Sequence, residues 1–298
     1  MNPIKAHYDR MPAGFRSSVR SLIPDSILRW YAHRNTDVYL ISYPKCGRTW
    51  LRLMIGKAIT QAYCLPETEE GLFLRWNKRP HPDIPRIRVI HDDRPMLRTP
   101  SELENSKVHY RGKRVIFLVR DPRDVVVSSY FEMKHRGRLF GENPYEDHKP
   151  VYEGSLPDFI RRERGGFQTI LQFYNIWADN REIPGAFLLV RYEDLRSAPQ
   201  GELRRVIDFL GLAAIPDQTL AEAVEFASFD NMHRMESDGK FETGMLKPAD
   251  QSVPDSFKTR KGMVRGYLEV LAQDEIDYMN QKIEEGLSPL FGYGANLS

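Results

Sequence analysis

Short apolar runs alternate with amphipathic stretches along most of the chain. Three of these runs are predicted as buried strands: VYLIS after Asp37, VIFLV after Arg114 and FLLV after Ala186, with a shorter candidate at residues 88–91. Apolar positions at helical spacing follow the first run, at residues 50–59. Strands that alternate with helices predict an α/β fold in three layers, with a central parallel sheet flanked by helices.

Two segments depart from this alternation. We expect residues 1–36 to form an irregular lead-in with one short helix near residues 26–32, and residues 37–298 to form a single domain. Residues 233–261 are polar, contain two prolines and lack a clean periodicity. A loop of this length inside a compact domain is usually functional or mobile, and we expect one here.

The composition excludes several classes of protein. The 43 basic and 41 acidic residues leave a net charge of +2, which is too near neutral for a nucleic-acid partner. Any anionic ligand must therefore be bound by a local cluster of basic residues. Two cysteines cannot build a disulfide framework or a four-thiolate zinc site, and they favour a reduced, cytoplasmic setting. No signal peptide, membrane span or cluster of metal ligands is apparent. We therefore expect neither a membrane partner nor a metal.

The most informative segment joins the first predicted strand to the first long helix and reads YPKCGRTW, residues 43–50. In such a strand–turn–helix the backbone N–H groups and the helix N-terminus face an incoming anion. Gly47 permits a close approach of backbone to ligand, Lys45 adds a mobile charge and Thr49 adds a hydroxyl. Lys45 precedes the glycine, and an earlier glycine is missing, so the spacing disfavours a Walker-type nucleotide triphosphatase.

This loop resembles the one that binds the 5′-phosphosulfate in the family of sulfotransferases that use 3′-phosphoadenosine 5′-phosphosulfate (PAPS), roughly YPKSGTTW. The chain departs from that pattern at Cys46 and Arg48. The segment FLVRDPRDVVVS, which contains Arg120 and ends at Ser128, is similar to the family's 3′-phosphate signature. Arg120 ends a predicted strand, where open α/β sheets bind ligands, and its guanidinium offers paired donors to a phosphate.

Further segments extend the resemblance to about residue 293. A YEDL segment begins at Tyr192, an ASFDNM segment resembles the family's adenine contacts, and an RKG segment matches the element that closes on the 3′-phosphate. The resemblance implies a P-loop-like fold, a lid at residues 233–261, and a nucleotide site formed by Lys45, Cys46, Gly47, Arg48, Thr49, Trp50, Arg120, Ser128, Tyr192, Ser228, Phe229, Met232, Arg260, Lys261 and Gly262. It implies transfer of a sulfuryl group from PAPS to a hydroxyl or amine of a small-molecule acceptor, with release of adenosine 3′,5′-bisphosphate (PAP).

Sulfuryl transfer needs a base near the acceptor proton and a cation near the leaving oxygen, since the protein mainly positions groups and stabilises charge. His91 ends a short predicted strand, at the position where the soluble family members carry their catalytic histidine, and an ordinary histidine pKa suits a base. Asp92 and Asp93 remain rival bases. Lys45 is the expected cation, and the resemblance suggests that Ser128 holds this lysine until the acceptor arrives.

The acceptor and the oligomeric state stay open. Aromatic and charged residues mix in the segments expected to form the acceptor walls, which favours a polar metabolite over a flat phenol. The acidic pair Asp92 and Asp93 would suit a cationic acceptor. The dimer motif of soluble family members, K-x-x-x-T-V-x-x-x-E, is absent. The alternatives are a carbohydrate sulfotransferase, a small-molecule kinase and a nucleotide-binding module without activity.

Overall fold

The computed structural model of the protein describes residues 25–76, 78–136, 152–242 and 244–294. Four parallel strands form one sheet: β1 (Val38–Ser42), β2 (Ile87–Ile90), β3 (Arg114–Val119) and β4 (Ala186–Arg191). Their order across the sheet is β2-β1-β3-β4. Because all four strands run the same way, the segments that leave β1, β2, β3 and β4 emerge at one edge of the sheet.

The described residues also form helices that flank this sheet, which confirms the predicted α/β class. They are α1 (Asp25–Arg34), α2 (Arg48–Ala62), α3 (Glu69–Leu72), α4 (Pro122–Arg136), α5 (Leu156–Arg161), α6 (Phe167–Asp179), α7 (Tyr192–Ser197), α8 (Pro199–Phe209), α9 (Asp217–Phe226), α10 (Phe229–Ser237) and α11 (Gln273–Gly286). Helix α2 packs with α3, α8 and α9, whereas α4 packs with α5 and α6, and α6 also contacts α11.

The two central strands are the most deeply buried part of the sheet. Every residue of β1 is buried, as is every residue of β3 after the first. Phe117 of β3 packs its ring against Trp177 of α6, with the ring centroids 5.4 Å apart. This aromatic packing anchors α6 to the sheet and fixes the strand whose end carries Arg120.

One predicted loop begins as a helix. Residues 229–237 form α10, although the sequence indicated an aperiodic segment from residue 233. The buried residues of α10 are Met232, Met235 and Glu236, at helical spacing, but one of these is a carboxylate and the remaining positions are mainly polar. The apolar signal was therefore too weak to reveal the helix.

None of the helices within the described ranges combines the length and the hydropathy that a bilayer crossing demands.

Two glycines give a matched test of the packing between α2 and α3. A Cβ atom on Gly56 would lie 2.1 Å from the carbonyl oxygen of Leu72, whereas a Cβ on Gly201 in α8 would meet nothing within 4 Å. We expect Gly56→Ala to lower the free energy of unfolding by about 1–3 kcal/mol, because the two backbones must separate. Gly201→Ala should leave it unchanged or raise it by up to about 1 kcal/mol. Urea denaturation measures both, and equal effects would contradict the packing described.

Candidate active site

A cavity of about 330 Å³ lies at the edge of the sheet where the strands end. Each strand contributes to its lining through the segment that follows it: Lys45 and residues 47–50 after β1, His91 after β2, Arg120 after β3 and Tyr192 after β4. Residues 258–263 reach the same cavity from a distant part of the chain. The carboxyl ends of parallel strands are where open α/β sheets place ligands, so this cavity is the candidate site.

Most of the residues predicted for the site line this cavity, and two do not. Cys46 turns into the core, where its Sγ atom lies 3.3 Å from the Tyr174 hydroxyl and burial raises the pKa of the thiol to about 12. Ser228 lies at the N-cap of α10, away from the lining. The predicted residues that do line the cavity are Lys45, Gly47, Arg48, Thr49, Trp50, His91, Arg120, Ser128, Tyr192, Phe229, Met232, Arg260, Lys261 and Gly262.

Position 47 requires a glycine because of both its backbone conformation and the close approach of a neighbouring ring. Its φ of 87° lies in the left-handed region, and a Cβ atom there would come within 2.6 Å of the Tyr192 ring. The Tyr192 ring also packs edge-on against Trp50, with the centroids 5.8 Å apart, and its hydroxyl donates to the Gly262 carbonyl at 3.1 Å. The loop after β1 is thus joined through one tyrosine to the residues after β4 and to the distant RKG segment.

The guanidinium of Arg120, at the end of β3, is held by several contacts that leave one of its N–H donors without a partner among the described residues. Its Nη2 atom donates to the Met263 carbonyl at 2.8 Å and lies 3.2 Å from an Asp124 carboxylate oxygen, and the guanidinium stacks 4.4 Å from the centre of the Tyr192 ring. Its Nε atom is buried and finds no hydrogen-bond partner among the described residues. A buried donor without a partner is costly, which suits a site that awaits an anionic ligand.

The RKG segment approaches the cavity closely enough to need its glycine. A Cβ atom on Gly262 would lie 2.6 Å from the Phe229 ring, and its φ of 59° is left-handed. The Arg260 guanidinium stacks 4.1 Å from the centre of the Phe131 ring. Lys261 is more exposed and pairs with Glu269 at 2.5 Å. Basic side chains and an aromatic ring therefore meet at this end of the cavity.

Lys45 is held by an acidic residue that the sequence reasoning missed. The lysine was expected to contact Ser128, but it donates to Glu132, one helical turn further along α4, at 2.5 Å. Glu132 also accepts from Arg136 at 3.2 Å. Burial would raise the pKa of Glu132, but the charges of Lys45 and Arg136 outweigh it and lower the pKa to about 2. Glu132 is thus ionised at neutral pH. In the sequence, only its position four residues after Ser128 could have indicated that it lies near Lys45.

His91 has a defined tautomer. Its Nδ1 atom lies 2.9 Å from the Ser42 carbonyl oxygen, which can only accept, so Nδ1 carries the proton. Its Nε2 atom lies 2.6 Å from Nη2 of Arg48, which can only donate, so Nε2 offers its lone pair. Burial and the nearby Arg48 charge hold the pKa of His91 well below 6.5. The ring is therefore neutral at pH 7, with its basic nitrogen toward the cavity-lining Arg48.

The two aspartates after His91 are engaged elsewhere. Asp92 is buried, lies 2.8 Å from the Lys107 ammonium and accepts from the Tyr110 hydroxyl at 2.6 Å. Asp93 accepts from the backbone N–H of Glu104 at 2.7 Å. The chain turns away after β2, with a left-handed φ of 60° at Asp93. Neither aspartate lines the cavity, so neither is placed there to act as a base or to bind a cationic acceptor.

Lys258 is a basic residue of the site that the sequence, as with Glu132, did not single out. It lines the cavity and donates to the Met245 carbonyl at 2.8 Å. Burial lowers the pKa of its ammonium to about 7, against the opposing attraction of Glu132. The other lining residues that the prediction did not include are Asp124, Val127, Glu132, Arg196, Met245, Leu246, Thr259, Met263 and Gly266.

Comparison with known proteins identifies the class to which this fold and this cavity belong. The sequence model of the sulfotransferase domain family matches residues 35–291. The chain is 25% identical to flavonol 3-sulfotransferase of Flaveria bidentis over 275 residues, covering 86% of this chain and 83% of that protein. It is 23% identical to cytosolic sulfotransferase 12 of Arabidopsis thaliana over 270 residues, covering 85% and 77%.

Solved structures agree on the fold. A mouse sulfotransferase complexed with PAP superposes with a TM-score of 0.53 at 17% identity, covering 83% of this chain and 84% of that one. Retinol dehydratase in complex with androsterone and PAP superposes with a TM-score of 0.55 at 16% identity, covering 84% and 80%. The chain belongs to the sulfotransferase family, which confirms the predicted PAPS-dependent sulfotransferase.

Asp92 and Lys107 provide a test that separates a structural carboxylate from a catalytic one. Their side chains are 6% and 1% exposed, so Lys107→Met leaves a buried carboxylate without its cation. We expect this change to lower the free energy of unfolding by about 3–5 kcal/mol, and Asp92→Asn in the same chain to restore part of the loss. Urea denaturation measures both. A single Asp92→Asn variant that is fully stable but does not turn over would show instead that this carboxylate acts in catalysis.

Proposed function

We propose that the cavity binds PAPS, and that one set of lining residues binds the 3′-phosphate and another set binds the 5′-phosphosulfate. Arg120, Ser128, Arg260 and Lys261 bind the 3′-phosphate, and the loop of residues 45–50 binds the 5′-phosphosulfate. The unpartnered Nε of Arg120 supports the first assignment, since a buried donor gains most from an anion. The left-handed Gly47 and the start of α2 at Arg48 support the second, because they leave N–H groups free at a helix N-terminus.

The adenine lies among aromatic and apolar side chains in this proposal. Trp50, Tyr192 and Phe229 line the cavity together with Met232. Flat rings next to two arginines suit a purine, which gains from stacking on each face. Cys46 and Ser228 contribute only through backbone, because their side chains lie outside the lining.

PAPS supplies an activated sulfuryl group, and the described residues supply the charge and the base. Lys45 leaves its contact with Glu132 to neutralise the bridging oxygen, so Glu132 takes the holding role first expected of Ser128. His91 accepts the acceptor proton at Nε2, the nitrogen whose lone pair the Ser42 contact leaves available. Arg48 must release this nitrogen first, which makes Arg48 part of the same step.

Residues 37–298 form the catalytic unit in this proposal, with residues 233–261 as a lid over the cavity. Lys258, Thr259 and Arg260 support this assignment, because these three residues of the expected lid line the cavity. A cytoplasmic location is supported by the relative named as a cytosolic sulfotransferase. The acceptor is a small molecule with a hydroxyl or amine, and the relative named as a flavonol sulfotransferase supports a small-molecule hydroxyl.

The convergence of Lys45, Arg120 and Arg260 on one cavity is the observation that carries this function. The test incubates the protein with PAPS and a panel of phenols, alcohols and amines, and in parallel with ATP and Mg²⁺. We expect sulfated product and PAP from the first reaction and no phosphorylated product from the second. Phosphoryl transfer from ATP, or PAP binding without any turnover of PAPS, would overturn the proposal.

The proposed 3′-phosphate contacts predict a preference between nucleotides. We expect PAP to bind at least 10-fold more tightly than adenosine 5′-phosphate, since one charge-assisted contact contributes roughly 1.5–3 kcal/mol. Arg120→Gln should remove most of this preference, whereas Arg234→Gln, an exposed change on α10, should leave it intact. Isothermal titration calorimetry measures each affinity. Equal affinities of the unaltered protein for the two nucleotides would sink the assignment.

The proposed base predicts a separation of binding from turnover. His91→Asn should keep PAP affinity and lower turnover by roughly 10²–10⁴-fold, the usual contribution of general acid–base catalysis. Lys45→Ala should weaken both turnover and PAPS binding. Because the pKa of His91 lies well below 6.5, the neutral base persists at mildly acidic pH, and kcat/KM for an uncharged acceptor should stay level from pH 8 to below 6.5. Full activity of His91→Asn, or a fall in kcat/KM already beginning above pH 6.5, would contradict this role.

A further inference from the structure

Three basic side chains of the described cavity lining are not used by the proposed nucleotide contacts. Seven of its described lining side chains are basic and two are acidic. The two acids are already engaged, Asp124 with Arg120 and Glu132 with Lys45. PAPS carries roughly four negative charges at neutral pH, about two of them on the 3′-phosphate. The proposed nucleotide contacts use four of the seven basic side chains; the other three are Arg196, Lys258 and Arg48, which contributes only its backbone to the phosphosulfate loop.

Two of these three bases lie at the reaction end. Arg196 stacks 5.8 Å from the centre of the Trp50 ring, on the proposed adenine side. Arg48 contacts His91, the proposed base, at 2.6 Å. Lys258 donates to the Met245 carbonyl and is electrostatically coupled to Arg48, Lys45 and Glu132. Arg48 and Lys258 are therefore the charges that face whatever molecule His91 deprotonates.

Arg48 has an unused donor in this position. One of its terminal nitrogens, Nη2, is occupied by His91, but the other, Nη1, is buried and has no hydrogen-bond partner among the described residues. A neutral acceptor would leave this donor unpaired, which is unfavourable in a buried site. An acidic group would satisfy it and would also draw Arg48 away from the basic nitrogen of His91. One contact would thus recognise the acceptor and free the base.

We propose that Arg48 and Lys258 form an anion-binding subsite beside His91, and that the acceptor carries an acidic group, such as a carboxylate, as well as its hydroxyl or amine. The inference rests on the proposed function and names the substrate class of the same site. Met245 and Leu246 line the cavity next to Lys258 and offer an apolar surface for the body of the acceptor. The acceptor is accordingly a compact acid rather than a cationic or a neutral compound.

Matched acceptors test this subsite directly. The panel pairs 4-hydroxybenzoate, 4-hydroxyphenylacetate and N-acetyltyrosine with their methyl esters, and PAPS is kept saturating. We expect kcat/KM to be roughly 10- to 100-fold higher for each acid than for its ester, the range for one or two charge-assisted contacts. This ratio is measured on the unaltered protein, so it does not depend on any variant folding.

Variants of Lys258 assign the preference to the subsite. Lys258→Met should bring the acid-to-ester ratio towards 1, and Lys258→Arg should retain most of it. Lys240→Met, an exposed change in the same segment, should leave the ratio unaltered. If Lys258→Met instead raises the KM for PAPS and keeps the ratio, the lysine serves the nucleotide and the proposal is overturned.

The protonation of Lys258 provides a further test, because a lysine with a purely structural role would not make the KM for acids depend on pH. Glu132 favours its charged form, whereas burial, Lys45, Arg136 and Arg48 oppose it, and the pKa is lowered to about 7. The ammonium is thus present below pH 7 and lost above it, so the KM for acids should rise from pH 7 to pH 8.5. The KM for the esters should stay level, and Lys258→Arg should abolish the rise, since arginine stays charged.

The possible failures are distinguishable. Sulfated product from the esters but equal or lower activity on the acids would overturn the subsite and leave the sulfotransferase intact. A KM for acids that is independent of pH would also contradict the role of Lys258. No sulfated product from any acceptor, together with no binding of PAP, would instead overturn the proposed function itself.

Discussion

The convergence of basic side chains on one cavity is the constraint on which the rest of this site depends. Seven basic residues converge on one cavity of about 330 Å³, and the described lining supplies only two carboxylates to balance them. Lys45, Arg120, Arg260 and Lys261 have carboxylate partners, whereas Arg48, Arg196 and Lys258 have none within 4.0 Å among the described residues, and an anionic ligand would supply one. The positive excess is therefore both a cost to the empty protein and the source of its affinity for a nucleotide with several negative charges.

The same constraint accounts for the unusual ionisation in the cavity. Lys258 has its pKa lowered to about 7 and His91 is kept neutral, because each is buried beside further positive charge. The pKa of Glu132 is also lowered, to about 2, but for this carboxyl the shift favours the charged form. Glu132 can thus hold Lys45 without being protonated, and an incoming phosphosulfate competes with it for the lysine. In the proposed function, binding of the donor and release of Lys45 from Glu132 are one event.

The sequence predicted those parts of the site that follow local pattern. The loop at residues 43–50 and the strand that ends before Arg120 were recognisable, because strand, turn and helix are contiguous there. Glu132 was missed because its contact with Lys45 spans 87 residues, and a single acid in a helix has many uses. Cys46 was predicted at the ligand but faces Tyr174 in the core, and the direction of one side chain in a tight loop cannot be read from its sequence. The helix α10 and the cavity-facing Lys258 depend on how residues 229–262 fold back, which apolar periodicity could not reveal.

The central claim is that the positive charge of this cavity is balanced by a nucleotide with phosphates at its 3′ and 5′ positions. A crystal structure of the complex with PAP tests it most directly. The account predicts the 3′-phosphate within hydrogen-bond distance of Arg120 Nε and the 5′-phosphate on the backbone N–H groups of residues 45–50, with Lys45 turned from Glu132 towards the ligand. A complex in which PAP lies outside the cavity, or in which Lys45 keeps Glu132 and Arg120 Nε stays unpaired, would contradict it.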